Sequence, residues 1–469
     1  MWHIIKNEWR FFGRTKLLFG ISIGFVVVLV LSIILGQQQG AQQMEERAAA
    51  QAQLRAQWDS IEGMNPHGAA HYGTYVYKPR TLLSHLDEGV NSVTGNVIRV
   101  EGHVQNEIIH SEASQMQAVS RFGKLKSALL LQYIIPLLLV FLAFSAVSGE
   151  KQSGRLRLLV MQGASPRNII FSKTVSVWLY GVGLLLLVVL TYSVLNAANL
   201  NGEILVRTLL FFLAYALFYF IITGLTVFLS ARWQNATLAL TTMLGVWILW
   251  SIFLPYMLMS SVEKWYPLPS REAFKSAMRE DRSKGIDGHN PSDKRGEALE
   301  AAVLAEYGVD SLSQLPINYD GLLMQADEEY GNIVWDKHFG ELRESMGNQK
   351  KAYQFSGLVN PFASLQMASM GFTGTDNLHH QDFLLQVENY RRDFIKTLND
   401  EHAYGGSKTG DWYWEADNAF YQSVADFSYQ PTAISNLLPN YLVDIGLLGC
   451  WSLLTFGLLL FATSKLQLV

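Results

Sequence analysis

Six apolar stretches, each about twenty residues long, constrain this chain more than any other feature: a hydrocarbon core ~30 Å thick is crossed by ~20 apolar residues rising 1.5 Å each. The stretches are 17–36 (LLFGISIGFVVVLVLSIILG, with no charged residue), 127–147, 175–195, 209–230, 237–257 and 445–462. An even number of crossings returns both termini to one side. The expected fold is an α-helical integral membrane protein with six transmembrane helices. Composition agrees: 16% of the 469 residues are charged and 49% hydrophobic, which excludes disorder. The single cysteine, Cys450, lies in the sixth stretch, where it is expected to pack as a small apolar residue. It leaves no intrachain disulfide framework and no cysteine-based zinc cluster.

The net charge of -4 averages two unlike materials. Residues 260–437 hold 27 acidic and 16 basic residues, whereas the rest of the chain holds 13 and 20. The basic excess flanks apolar runs and forms no groove for nucleic acid. Short segments report topology best: Lys6, Arg10, Arg14 and Lys16, then Lys151, Arg155, Arg157, Arg167 and Lys173, then Arg232, then Lys465 all fall on one side. By the positive-inside bias that side is the cytoplasm, with both termini.

Residues 1–16 precede the first apolar run with Trp2, Ile5, Trp9 and Phe12 on one helical face and Lys6, Arg10 and Arg14 on another. That pattern predicts an amphipathic helix in the membrane interface rather than a cleaved leader. Residues 37–126 and 260–437 fall on the opposite side and are expected to fold together into a periplasmic, mainly α (α+β) domain. In the first segment, a helix is expected over 37–53, strands at 74–77 and within 91–100, and a returning helix over 111–126. In the second, helices are expected over 271–282, 293–307, 327–348 and 381–402, with a surface loop at 281–295.

Chemistry-bearing signatures are scarce. In the two long external segments no nucleophile elbow or HExxH occurs. The nearest approach to a P-loop, Gly405-Gly406-Ser407-Lys408-Thr409, has Ser where the pattern needs Gly, so the chain is not expected to hydrolyse ATP. Of the external histidines, His67 and His71 lie four apart, while His103, His379 and His380 stand elsewhere. With Met367 and Met370 they could suit copper, but Gly68 weakens a helix through the first pair and adjacent His379 and His380 diverge. Packing and hydrogen bonding are the expected roles, with no metal site. Pro136 removes a backbone hydrogen bond in the second span, read as a static kink with pathway bending as the rival. Asp444, at the edge of the sixth span, could line a pathway, although its position favours ordinary solvation.

The connection 148–173, SGEKQSGRLRLLVMQGASPRNIIFSK, is basic, with apolar Leu156, Leu159, Val160 and Met161 and a break at 163–166. Its composition fits a docking helix and a plain positive-inside loop equally well. Its motifs, however, form a family pattern: Glu150-Lys151, Ser153-Gly154, Leu156-Arg157-Leu158-Leu159, Ser165-Pro166-Arg167, then Lys173. The stretch resembles the coupling region of ABC-2 type transporter permeases. HGAAHYGTYVYKP with LSHLDEGV and VEGHVQN, and NPFASLQMASMGFTGTDNLHHQDFLLQVENYRRDFIKTLND, resemble the DUF3526-containing subgroup of Gram-negative bacteria. The resemblance covers nearly the whole chain and implies a non-catalytic permease subunit of the inner membrane, one of a homo- or heterodimeric pair. It also implies a separate cytoplasmic ATPase that binds ATP and Mg, with room for a periplasmic partner. Glu150, Gly154, Arg155, Arg157 and Leu158 are the implied ATPase-coupling residues. The rival reading is a membrane-anchored periplasmic binding or assembly protein without a translocation path.

Overall fold

The computed structural model describes residues 1–14, 16–109 and 126–466. Among them, six helices are long and apolar enough to cross a membrane: Ser22–Asp59, Ser127–Gln152, Pro166–Leu195, Gly202–Arg232, Ala236–Trp265 and Pro439–Ser464, here spans one to six. The expected helix at 111–126 falls almost wholly outside the described residues. Span one belongs to a continuous helix, Lys16–Asp59. No junction separates its apolar half from its Gln-, Ala- and Glu-rich half, because those residues are strong helix formers and no proline interrupts them. The helix runs ~65 Å, well beyond the thickness of a bilayer core.

Span four is the axis of the bundle, packing against spans two, three, five and six. Phe211, Tyr215, Phe218, Tyr219 and Ile222 are fully or almost fully buried along it. Spans two and five share a device. Each contains one π-helical turn, Leu130–Ile134 and Leu249–Phe253, and each turn is followed after one residue by a proline, Pro136 and Pro255. Proline cannot donate to the carbonyl four residues back and its ring crowds that carbonyl; the wider turn relieves both conflicts. Pro136 is thus built into a locally rewound helix.

The largest departure from the expected layout lies within 260–437. Helix Tyr319–Phe355, the turn Ser356–Leu358 and helix Pro361–Thr373 form a hairpin that penetrates the bundle. Helix Pro361–Thr373 packs on spans four and six. Ser369 Oγ lies 2.9 Å from the Tyr215 hydroxyl, and the Phe362 and Phe218 ring centroids are 6.0 Å apart. Trp451 Nε1 donates to the Gly357 carbonyl at 2.9 Å, and Asn360 Nδ2 donates to the Trp250 carbonyl at 3.0 Å. Phe218 lies ~24 Å along span four from Gly202, and Trp451 ~18 Å along span six from Pro439. The tip therefore sits level with the middle of the spans, and 260–437 is not wholly extramembrane. Close approach is needed: a Cβ on Gly371 would come within 2.3 Å of the Tyr441 ring.

Beyond the bundle, the two long segments build one core. Strands β1 (Gly63–Met64), β2 (Thr74–Tyr77), β3 (Val97–Val100) and β4 (Ala416–Asp417) form two antiparallel pairs. The β2–β3 pair, Thr74 opposite Val100, matches the two strands expected from β-branched and aromatic content. The β1–β4 pair joins the first segment to the second. Trp58, Ala69, Val76 and Val100 from one segment pack with Phe383, Val387, Phe394, Leu398 and Tyr421 from the other.

Candidate functional site

The connection between spans two and three folds as two short helices. Ser148–Gln152 ends at Gly154, whose φ of 72° turns the chain into helix Arg155–Met161. A left-handed residue is needed at this corner, and glycine adopts it without steric cost. Leu156 is buried and seats the second helix, while Gly154, Arg155, Arg157 and Leu158 are exposed. Leu158 and Met161 stand 54% and 75% exposed, an apolar pair on a basic helix. Helix Pro166–Leu195 then starts at a Ser165 N-cap that accepts from Asn168 N.

Glu150 is not on that exposed surface. Its carboxylate receives Lys173 Nζ at 2.6 Å, and the same ammonium reaches Glu8 at 2.7 Å. Lys173 is 2% exposed. One buried cation thus ties the N-terminal helix Trp2–Arg14, the loop and span three together, making Glu150 a positioning residue. Sequence reasoning missed this role. The available signals were a lysine set among apolar residues (IIFSKTVSVW) and Glu8, the lone acid of the N-terminal helix. On that helix Ile5 is buried, whereas Trp2 and Trp9 are exposed.

In the extramembrane core, three of the five singled-out histidines converge. His67 and His71 project from helix Pro66–Tyr72 and His103 from the turn after β3, with their ligand nitrogens within 4.8 Å of one another. Gly68 does not prevent this helix: Asn65 caps it by accepting from His67 N, and Pro66 opens it. Burial, reinforced by His71, His103 and His402, pushes the His67 imidazole down to about 4. His103 Nδ1 lies 3.0 Å from Glu328, itself paired with Arg391 at 2.9 Å. Burial alone would raise the Glu328 carboxyl, but His103 and Arg391 hold it down at about 2.

His379 and His380 lie elsewhere. His379 Nδ1 pairs with Asp376 at 2.6 Å and its Nε2 lies 3.2 Å from Arg207; His380 Nδ1 lies 3.1 Å from Lys78 Nζ. Lys78, Arg207 and His379 line a cavity of about 420 Å³ where span four meets the extramembrane core.

The two pathway candidates are also separated. Pro136 sits behind the π turn of span two. Asp444 is fully buried rather than solvated, because Gln354 of the hairpin covers it and donates to its carboxylate at 2.6 Å. A second buried carboxylate went unassigned in the sequence: Asp87 accepts from Gln132 of span two at 2.9 Å and from Ser369 of the hairpin at 2.5 Å. Burial pushes its carboxyl up, against the hydrogen bonds from Ser369, Gly89 and Gln132. Cys450 is exposed on the bundle rather than packed. The stretch 405–409 closes helix Asn377–Tyr404, and Ser407 Oγ donates to the His402 carbonyl. A P-loop opens a helix instead.

A bundle of six apolar helices carrying a composite extramembrane core defines a polytopic α-helical membrane protein. Residues 68–271 match the family model of the ABC-2 family transporter protein, and residues 271–430 match a domain of unknown function, DUF3526. The chain is an ABC-2 type transporter permease of the DUF3526-containing subgroup. No curated protein matches it at a significant level.

Proposed function

We propose that the chain is the membrane-spanning subunit of an ABC transporter of the bacterial inner membrane, worked by a separate cytoplasmic ATPase that binds ATP and Mg. The observation that carries this reading is the loop between spans two and three. A short basic helix offers Leu158 and Met161 outward while Leu156 and the Lys173 ion pairs fix it to the bundle. An apolar pair on a rigidly held helix suits insertion into a groove of a partner protein. The Lys/Arg bias puts this loop, both termini and the interfacial helix 1–16 on the cytoplasmic side. The extramembrane core is then periplasmic.

In this reading ATP-driven closure of the ATPase moves the docked loop. Lys173 transmits that movement to span three and the N-terminal helix at once. Gly154, Arg155, Arg157 and Leu158 form the docking surface, Met161 extends it, and Glu150 positions it. A second permease, identical or related, completes the transporter, and transport or conformational work on a periplasmic partner follows. Leu158→Asp with Met161→Asp is expected to lower ATPase co-purification and stimulation more than about tenfold, with unchanged permease in the membrane. Unchanged stimulation would overturn the docking assignment. An ATPase that never travels with the unaltered chain would favour the anchored-assembly reading.

A further inference from the structure

We propose that His67, His71 and His103 form a binding site for one divalent transition-metal ion of the zinc class in the extramembrane core. This site is independent of the transporter reading.

His67 Nε2 and His71 Nε2 lie 3.2 Å apart. Two nitrogens bound tetrahedrally at 2.0–2.1 Å from a zinc ion are separated by about 3.3 Å, so the pair already spans one edge of a coordination tetrahedron. The i, i+4 spacing on helix Pro66–Tyr72 supplies that edge, because such residues share a helical face. His103 approaches from a different element, its ring centroid 5.4 Å from that of His67 and 5.2 Å from that of His71.

The backbone at His103 is unusual. Among the described residues it is the one non-glycine at positive φ, 65°. A left-handed conformation crowds an ordinary side chain's Cβ against its own backbone and is unfavourable. Here it is held from three sides: His103 N and Nδ1 both engage Glu328, and the His103 carbonyl accepts from Arg282 at 2.9 Å. Strain retained this way is the mark of a residue kept for its side chain.

The three imidazoles also have a supporting shell. A ligating imidazole typically donates its other nitrogen to a carboxylate, which fixes tautomer and ring orientation. Glu328, 2% exposed and locked by Arg391, does this for His103 Nδ1, leaving Nε2 as the ligand atom. Imidazoles without carboxylate or thiolate ligands suit zinc, copper and nickel rather than magnesium or calcium. Three protein ligands leave a fourth position for water or an exchangeable ligand, and His71 borders it on the exposed side.

The test uses the full chain, purified in detergent without a polyhistidine tag. It is stripped with EDTA, reloaded with ZnSO4 or CuSO4, desalted and analysed for metal. About one ion per chain is expected. Less than a tenth of that should remain in His67→Ala with His71→Ala, and in His103→Ala. Glu328→Gln keeps all three ligands and should weaken binding about 10- to 100-fold. Loading with Co2+ should give the visible absorption of a tetrahedral ion, absent from the double variant. Should an alanine variant melt lower than the metal-free parent, the exposed position alone, His71→Gln, gives the same readout. A parent chain that retains neither zinc nor copper, or variants that retain as much as the parent, would overturn the site.

Discussion

At the residue scale, the molecule concentrates its stakes in a few buried charges and imidazoles. Lys173 is closed in between Glu8 and Glu150. Removing one partner of a buried pair costs about 3–5 kcal/mol, since the remaining charge stays desolvated. Lys173→Glu is therefore expected to lower the melting temperature strongly by gathering three carboxylates. Adding Glu150→Lys restores a cation between two acids and should recover most of the loss; equal damage in both variants would exclude the ion-pair account. The histidines set a second behaviour. Burial pushes His380 down to about 3, with Lys78 adding to it, and His85 down to about 4, with Arg80 adding to it. Both are neutral in the fold, whereas an unfolded histidine protonates near 6.5. Between about pH 6.5 and pH 4 the unfolded chain binds more protons, so stability is complete above that window and falls as pH drops through it. Each imidazole contributes a slope of at most ~1.4 kcal/mol per pH unit. Melting temperatures measured in detergent from pH 7.5 to 5 should decline, and His380→Gln should flatten the decline; a level profile would contradict these burials.

At the element scale, what could be read from the sequence follows the length over which a pattern repeats. Long apolar runs gave away the spans, and β-branched and aromatic residues marked the β2–β3 pair. The hairpin helix Pro361–Thr373 escaped because it is 13 residues long and carries Ser364, Gln366 and Ser369. No hydropathy window of span length finds it. Its signature is instead small residues, Ala363, Ser364, Ala368 and Gly371, the composition that lets helices approach closely inside a membrane. The π turns were partly legible: Pro136 stood out in span two, but not the widened turn that accommodates it, nor the matching device at Pro255. The histidine cluster divides the same way. His67 and His71 announce themselves by spacing, while His103 arrives through a strained turn and Glu328 through a helix more than two hundred residues on. Only the tertiary fold brings these together. Asp444 shows the converse, since its position along span six was plain, but the Gln354 that buries it lies beyond 348, in the part of helix Tyr319–Phe355 that the pattern did not reveal.

At the scale of the whole molecule, the hairpin makes bundle and extramembrane core one mechanical unit. Its first helix continues from the core, and its second is clasped by spans four and six. Arg207 of span four reaches the Gly371 carbonyl, His379 and the Thr432 carbonyl, binding the same elements again where the bundle meets the extramembrane core. Backbone that is not part of a spanning helix survives at bilayer depth only where protein satisfies it. At the tip, Asn360 caps helix Pro361–Thr373, and Trp451 and Trp250 meet the groups around it. Yet Phe355, Leu358 and Val359 point away from the protein, 62%, 63% and 59% exposed. In water these three would form a costly apolar patch; level with the middle of the spans, they face lipid at no such cost. The consequence can be measured because Cys450 is the sole cysteine. In a Cys450→Ser background, Leu358→Cys carrying a spin label should be relaxed by oxygen and little by a water-soluble nickel chelate. Tyr413→Cys, at a position 95% exposed on the extramembrane core, should show the reverse. Chelate access at position 358 equal to that at 413 would put the tip in water and separate the core from the spans. A lysine at 358 gives the energetic counterpart: a charge at the centre of a bilayer costs about 2.5–3.5 kcal/mol on insertion scales, so Leu358→Lys should depress stability in lipid nanodiscs far more than Tyr413→Lys does.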